Sequence, residues 1–412
     1  MNLVDSAAHR TRTLWLVGIL HAFTHVYQVV LLPAYFLIQK DFALESVDQA
    51  TLLVTVMMLA YFGPSYFLGV LADRYSRKQL LAWGLALNAA GFIALSLANS
   101  YPLAILCVAI SGIGGCFYHP AATALIAQLY PKGTGKALGL VGIGAGLGFF
   151  IGPLYAGWRA AISGWRAPVL ELGIAGLLMA IIFAWLAEEH QRPETGNHQP
   201  SMVKVPMFPT GTLWLLFISA SFAFSLRDFT GSSMGSLGSL YLQQAHSLDL
   251  RTTGATISAI FLAAALSNPI FGKLSDHGRY TWTMIVLIIA SILVISFPYL
   301  PVSWAGVGLF CYGFFFMASY PTVEAALMES VPNEVRGRVF GFFITIGGFV
   351  GNLAHWLMGE WVHRLGPNAT NPAAYRPIYW LLGGLVIAST LGLLFLSKLK
   401  KREMEILPPL SH

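Results

Sequence analysis

Residues Gly69 to Lys78 read GVLADRYSRK and lie between two long apolar runs. A shorter version, GKLSDHGR, recurs at Gly272 to Arg279. Each copy places a Gly near the end of one run, an Asp four residues later, and basic residues before the next run. Glycine permits a tight turn, and clustered positive charge suits a short loop at a membrane surface. Asp73 and Asp276 are 203 residues apart, so the motif marks an internal duplication. Pro120 and Pro131 match Pro321 and Pro332 at an offset of 201.

Composition agrees. Hydrophobic residues are 56% of the 412 and charged residues only 10%, against about 25% charged in a soluble domain. A bilayer core about 30 Å thick needs roughly 20 apolar residues per helix. Twelve such runs are present: 13–38, 48–71, 79–98, 102–129, 135–158, 167–187, 211–242, 252–274, 281–299, 302–330, 338–363 and 376–397. The first continues without a small-residue cleavage pattern and reads as a retained span. Between the sixth and seventh, Glu188 to Thr210 is polar and contains Pro193, Pro200, Pro206 and Pro209, the signature of a linker. The expected fold is an all-α membrane protein with twelve transmembrane helices in two pseudo-symmetric six-helix bundles. The bundles are assigned to residues 1–190 and 211–412, joined by a cytoplasmic linker over 191–210.

Charge sets the orientation. With both termini on one side, the segments on that side carry 17 of the 24 Lys and Arg residues, the opposite loops six, and Arg227 lies within a span. The excess places both termini in the cytoplasm of a multi-pass plasma-membrane protein. The formal charge of +6 thus reports orientation, and no long basic tract with interleaved aromatics points to nucleic acid. Cys107, Cys116 and Cys311 all lie in apolar runs without disulfide spacing.

The loop motif resembles the signature Gly-x-Leu-Ala-Asp-Arg-x-Gly-Arg-Lys of the major facilitator superfamily, with Ser76 replacing the second Gly. That resemblance covers nearly the whole chain and implies a secondary active transporter working by alternating access. It assigns gating roles to Gly69, Asp73, Arg74, Arg77, Gly272 and Asp276, with Asp73 meeting the start of the eleventh span near Gly337. Gly139, Gly148, Gly152, Pro153 and Gly157 match the superfamily's antiporter motif, with Ala156 at a usual Gly position, which points to export. Small residues at this spacing make a flat packing face, and Pro153 opens the helix ladder. GIGGCFYHPAATALIAQLYP at Gly112 to Pro131, with His21 to Gln28 and LLPAY, resembles the fosmidomycin-resistance-type branch of drug exporters. Its Phe-His-Pro appears here as Phe117-Tyr118-His119-Pro120. The fourth-span Arg of many drug–proton antiporters is absent.

Polar residues inside spans are the candidate working groups, because they are expensive in hydrocarbon and usually face a cavity or a partner. His21, His25 and Gln28 recur at i, i+4 and i+7 on one face of the first span. With Tyr27, Arg227 and Asn352 they form the expected substrate-binding set. The resulting environment suits an anionic or zwitterionic solute, since the Arg227 fork matches carboxylate or phosphonate oxygens. Glu324, Asp228 and His21 are the candidates for proton coupling, with Glu171 and His355 behind them. Glu329 and Glu360 lie near span ends and read as interfacial. Arg227 and Asp228 precede GSSMGSLGS at Gly231 to Ser239, which is expected to break an overlong seventh helix and open a cavity there. Within that reading Arg227 either faces the cavity or pairs with Glu324 or Asp228. His119 is a candidate to satisfy carbonyls freed by Pro120. Nothing in the spacing of Cys116, His119, His21 and His25 requires a metal, and none is expected.

No GxxxxGK[ST], HExxH or Gly-x-Ser-x-Gly motif is present. The chain is therefore expected to be no enzyme and to need no cofactor, drawing instead on an ion gradient. The expected activity is proton-coupled export of a small organic molecule or drug by a monomer embedded in the bilayer. A proton-coupled uptake symporter for an organic anion and a transporter-like sensor without flux remain as alternatives.

Overall fold

The computed structural model describes residues 3–65, 67, 68, 71, 75–189, 206–332 and 335–406. Gly69, Asp73, Arg74 and nearly all of the linker between the halves lie outside the described residues, as does any approach of Asp73 to the eleventh span. Helices dominate because hydrocarbon offers no partner to backbone N–H and C=O groups, so each spanning segment must bond within itself.

The first half contains α1 (Leu3–Val29), the short α2 (Tyr35–Asp41), α3 (Val47–Phe62), α4 (Arg77–Leu97), α5 (Tyr101–Cys116), α6 (Tyr118–Leu129), α7 (Thr134–Ser163) and α8 (Arg166–Leu186). The second contains α9 (Gly211–Gln244), α10 (Leu250–Ser275), α11 (Arg279–Ser296), α12 (Ala305–Met328), α13 (Arg336–Leu365), α14 (Arg376–Ser389) and α15 (Leu391–Ile406). Among the described residues, eleven helical stretches are long and apolar enough to cross a membrane, α5–α6 and α14–α15 each forming one. The apolar helix α3 occupies the remaining expected run.

Polar side chains and glycines set the ends. Asp249 caps α10 by accepting from the Thr252 backbone N–H at 2.9 Å, and that bond holds its carboxyl below the usual range. Thr210 caps α9 by accepting from Leu213 N, and Ser76 caps α4 by accepting from Gln79 N. Gly164 (φ 77°) and Gly366 (φ 52°) end α7 and α13 in conformations that a side chain would resist.

The duplication is visible in the packing. In the first half α1 packs on α7, α4 on α8 and α3 on α5; in the second, α9 packs on α13, α11 on α14 and α10 on α12. The contacts between halves repeat too: α7 meets α10, and α13 meets α3. Side chains turned outward, such as Trp83, Trp185, Leu178 and Leu215, are large and apolar, as a lipid-facing surface requires.

The halves touch from mid-depth to the side opposite the termini, hereafter the far side. There, a Cβ on Gly157 would overlap the Leu250 carbonyl, and one on Gly254 would overlap the Pro153 carbonyl. Backbone therefore rests on backbone. On the termini's side, added Cβ atoms at Gly135, Gly139, Gly272, Gly337 and Gly341 would meet nothing within 4 Å. The hydrophobic core divides in the same way. One cluster runs through the first half into Met234 and Leu237, while Phe217, Phe224, Val339 and Leu396 belong to a separate one. The gap between the halves opens toward the termini.

One expectation is corrected. The segment Gly231 to Ser239 does not break its helix, and α9 is continuous over 34 residues. At 1.5 Å per residue this is about 50 Å, longer than the hydrocarbon core, so α9 projects beyond it or tilts. Its Gly and Ser residues form a contact surface instead. Ser239 donates to the Leu32 carbonyl at 2.6 Å, and Cβ atoms at Gly231 and Gly235 would press on Phe316 and Leu32.

Widening the Gly157–Gly254 contact tests the far-side closure. With native cysteines removed and a single Cys placed at buried Leu32, Gly157→Val is expected to raise labelling by a membrane-impermeant maleimide several-fold. Gly139→Val is expected to leave it unchanged. Equal labelling in both would show that this contact does not hold the halves together.

Candidate functional site

Polar groups inside the bundles fall into three clusters. The first is built from α1 and the α5–α6 span. Pro120 has no N–H to give the Cys116 carbonyl, and the helix is interrupted at Phe117. The interruption brings Tyr118 and His119 toward α1. Ring centroids of His21 and Tyr118 lie 4.6 Å apart, of His21 and His25 4.8 Å, and of His21 and His119 5.3 Å. His21 Nδ1 donates to the Val141 carbonyl at 3.0 Å, and His25 Nδ1 donates to Gln28 Oε1 at 2.9 Å. His119 makes no hydrogen bond to the freed carbonyl. The residue is exposed overall, although its ring packs against His21, His25, Tyr61 and Tyr118. One buried atom here, His21 Nε2, has no hydrogen-bond partner among the described residues.

The second cluster is in the other half. Arg227 is 1% exposed. Its Nε and one terminal nitrogen donate to Asp228 Oδ1 at 3.0 and 2.8 Å, and the other terminal nitrogen donates to the Ser319 carbonyl at 3.2 Å. The guanidinium carbon stands 4.1 Å from the Tyr320 ring centroid. Glycines make room for the partner, since a Cβ on Gly347 would lie 2.5 Å from Asp228 Oδ2 and one on Gly351 2.9 Å from Asp228 Cβ. Glu324, one turn beyond Tyr320 on α12, is half-buried and makes no ion pair within 4 Å among the described residues.

The third cluster crosses between the halves. Tyr35 and Ser236 hydroxyls are 2.7 Å apart, Ser236 Oγ is 2.6 Å from His355 Nδ1, and His355 Nε2 is 3.2 Å from Asn352 Oδ1. Asn352 also donates to the Gly348 carbonyl at 2.7 Å. Nearby, Thr55 donates to the Asn352 carbonyl at 3.1 Å and accepts from Trp356 N at 3.0 Å, tying α3 to α13.

These positions rearrange the expected substrate set. His21, His25 and Gln28 share a cluster. Tyr27 does not join them: it points away, 1% exposed, packed on Phe92 and donating to the Leu172 carbonyl at 2.8 Å. One residue along a helix turns a side chain by about 100°, so Gln28 and Tyr27 cannot face the same way. Arg227 takes the ion-paired alternative and does not line the gap. Asn352 sits at the contact between halves. Tyr35, Ser236, Tyr61 and Tyr118 were not singled out from sequence, where a Tyr or Ser in an apolar run carries no sign of its partner.

The remaining candidates lie nearer the surfaces. Glu171 pairs with Arg159 at 2.7 Å and bonds Tyr155; Glu329 pairs with Arg279 at 2.7 Å, and Glu360 with Arg364 at 2.6 Å. In the loop motif, Glu189 accepts from Ser76 Oγ, Arg77 N and Lys78 N at the start of α4, while the Arg77 side chain donates to Gln128. Asp276 lies 3.4 Å from Arg279.

The Arg227–Asp228 pair yields a stability prediction. Removing one partner from a buried pair leaves a charge without compensation, a loss of about 3–5 kcal/mol. Asp228→Asn is therefore expected to lower the melting temperature of the detergent-purified protein clearly more than Glu324→Gln. Equal melting temperatures for the two variants would remove the pair as a structural element.

Comparison with known proteins matches this architecture. The Major Facilitator Superfamily profile matches residues 14–355. The fosmidomycin resistance protein of Escherichia coli K12 is 25% identical over 362 residues, covering 84% of this chain and 87% of its own. The multi-drug resistance efflux pump PmrA of Streptococcus pneumoniae is 28% identical over 319 residues, covering 73% and 76%. A bacterial homologue of the human lysosomal transporter Spinster, solved inward-facing and unoccupied, superposes with a TM-score of 0.74 at 18% identity, covering 95% of this chain and 96% of its own. The chain belongs to the major facilitator superfamily, a family of transporters and not of enzymes.

Proposed function

We propose that this member of the major facilitator superfamily is a proton-coupled exporter of a small organic molecule, most compatible with a zwitterion. It resides in the plasma membrane with both termini and the linker in the cytoplasm, so the gap between its halves opens inward. The observation that carries this reading is Glu324, a half-buried carboxylate without an ion-pair partner among the described residues, close to the neutralised Arg227–Asp228 pair. The relatives' names, a resistance protein and an efflux pump, support export as the direction.

The sign of the substrate follows from the coupling. In an antiporter, substrate and proton must exclude one another. A single carboxylate achieves this when it holds either a proton or a cationic group of the solute. A purely anionic solute would instead bind best with Glu324 protonated, and the two would move together. Arg227 is already satisfied by Asp228 and brings no free positive charge. A zwitterion fits both ends: its cationic group reaches Glu324, and its anionic oxygens reach the imidazole of His119 across the gap, since the N–H groups of His21 and His25 are already taken by the Val141 carbonyl and Gln28 Oε1. The neutral His119 imidazole N–H donates to such an oxygen without fixing a second charge.

Alternating access then needs the far-side contacts to part as the termini's side closes. The internal symmetry supports this, because the α7–α10 and α3–α13 contacts are related by the same repeat.

Flux into inverted vesicles under an imposed pH gradient, screened over amino-substituted phosphonates, zwitterionic amphiphiles and organic acids, tests the reading. Glu324→Gln is expected to abolish uphill accumulation while preserving substrate exchange. Unchanged pH-driven accumulation in that variant would reject Glu324 as the coupling group, and accumulation of organic acids alone would reject the zwitterion.

A further inference from the structure

His21 and His25 are one helical turn apart on α1, and the interruption at Phe117 presents His119 to both. One ring nitrogen from each of the three lies within 4.8 Å of the others. Two histidines at i and i+4 on one helix face is a spacing that zinc sites use, and here a second span supplies the third ligand.

The hydrogen bonds around the rings select the tautomer. The Val141 carbonyl has only lone pairs to offer, so Nδ1 of His21 must carry the proton, and Gln28, with Oε1 turned to His25 Nδ1, asks the same of His25. Each ring is thereby fixed in the form whose Nε2 is a lone-pair donor. A metal-ligating histidine ordinarily has this arrangement, its other nitrogen held by a carbonyl or carboxylate. His21 Nε2 is an orphan, buried with no hydrogen-bond partner, on a residue 9% exposed. A buried lone pair left unsatisfied is costly, and a cation shared with two further imidazoles would satisfy it.

We propose that His21, His25 and His119 bind a divalent first-row transition metal, of which Zn2+ is the ion that neutral imidazoles and a three-ligand site suit best. Tetrahedral Zn–N bonds of about 2.1 Å place ligand nitrogens roughly 3.4 Å apart. The three rings reach that spacing by shifts on the order of 1 Å, and the exposed His119 has room to make them. A tetrahedral ion with three protein ligands keeps a fourth position, here facing the gap. If the anionic end of the proposed substrate lies at these imidazoles, its oxygen would take that position; this last link rests on the proposed function, whereas metal binding does not.

Zinc binding is measured without substrate, on the full chain in detergent at pH 7.5 and carrying no polyhistidine tag. The probe is Zn2+ alone in competition with a chromophoric chelator, with a visible Co2+ spectrum as second readout. The expected result is one ion per chain with a dissociation constant in the micromolar range or tighter. The Co2+ bands should have the intensity of a tetrahedral site. His119→Ala and His25→Ala should each weaken binding at least tenfold and abolish those bands, and Gln28→Ala should weaken it by a smaller factor. His119 makes no hydrogen bond among the described residues, so His119→Ala keeps the test open if His25→Ala fails to fold. Absence of stoichiometric zinc binding would overturn the proposal. So would wild-type affinity in His119→Ala, which would place the ion on surface histidines such as His246 or His363. Failure of transport coupling with zinc binding intact would overturn the proposed function alone.

Discussion

Two backbones in contact hold this transporter in the state described. Where α7 crosses α10, Gly157 and Gly254 face each other, and each leaves the space into which the other helix's carbonyl projects. In lipid there is little hydrophobic gain from bringing two apolar helices together, so association relies on close van der Waals contact and on hydrogen bonds. Glycine is the residue that permits the closest approach. The matching contact on the other side of the molecule, α3 against α13, uses Gly359 beside Thr51 and Gly348 under the Phe62 ring. The halves are therefore joined along two seams in which glycines on one helix admit a backbone, as at Gly157 and Gly254, or a ring, as Gly348 admits Phe62.

The antiporter-type glycines divide between two tasks along α7. Gly148 and Gly152 let α1 lie close, against Ala22 and Val26, while Gly157 serves the contact with α10. Gly139, at the opposite end, faces open space. A helix that is smooth at both its intra-half and inter-half faces can stay bound to α1 while its other surface slides past α10.

The spans and the duplication were legible because hydrophobic length and turn chemistry are local properties. Asp73 and Asp276 could be aligned before any contact was known. Pairing was not local in that sense. The Gly/Ser stretch of α9 reads as a breaker when each residue is judged by intrinsic preference. Inside a bilayer the same residues are retained in helix by the cost of freeing backbone groups, and their smallness becomes a packing device. Arg227 reads as a charge awaiting a ligand, yet its neighbour Asp228 already holds it, with Gly347 and Gly351 clearing the space. Those two glycines lie more than a hundred residues away, and only the fold connects them. Tyr27 fails for a simpler reason, since adjacency in sequence is not adjacency on a helix face. The three-histidine cluster depended on the break at Phe117, which Pro120 made foreseeable, but the direction in which it would turn His119 was not.

The chain of hydrogen bonds from Tyr35 to Asn352 has a direction, and that direction ties far-side closure to a protonation state. Asn352 Oδ1 can only accept, so His355 Nε2 must donate to it, and a neutral His355 then accepts at Nδ1. Ser236 donates to that nitrogen, which leaves its oxygen to accept from Tyr35. Every hydrogen in the chain has a place. A protonated His355 would have two N–H groups to donate, and Ser236 would have to reverse. Its oxygen could accept from both His355 and Tyr35, but its own hydroxyl hydrogen would have to leave Nδ1 and find another acceptor. None of this requires His355 to carry the transported proton. It means that the bonds as they stand fit a neutral imidazole, and that a proton added to it would reorganise the hydrogen-bonded side-chain path that links Tyr35 of the first half to Asn352 of the second.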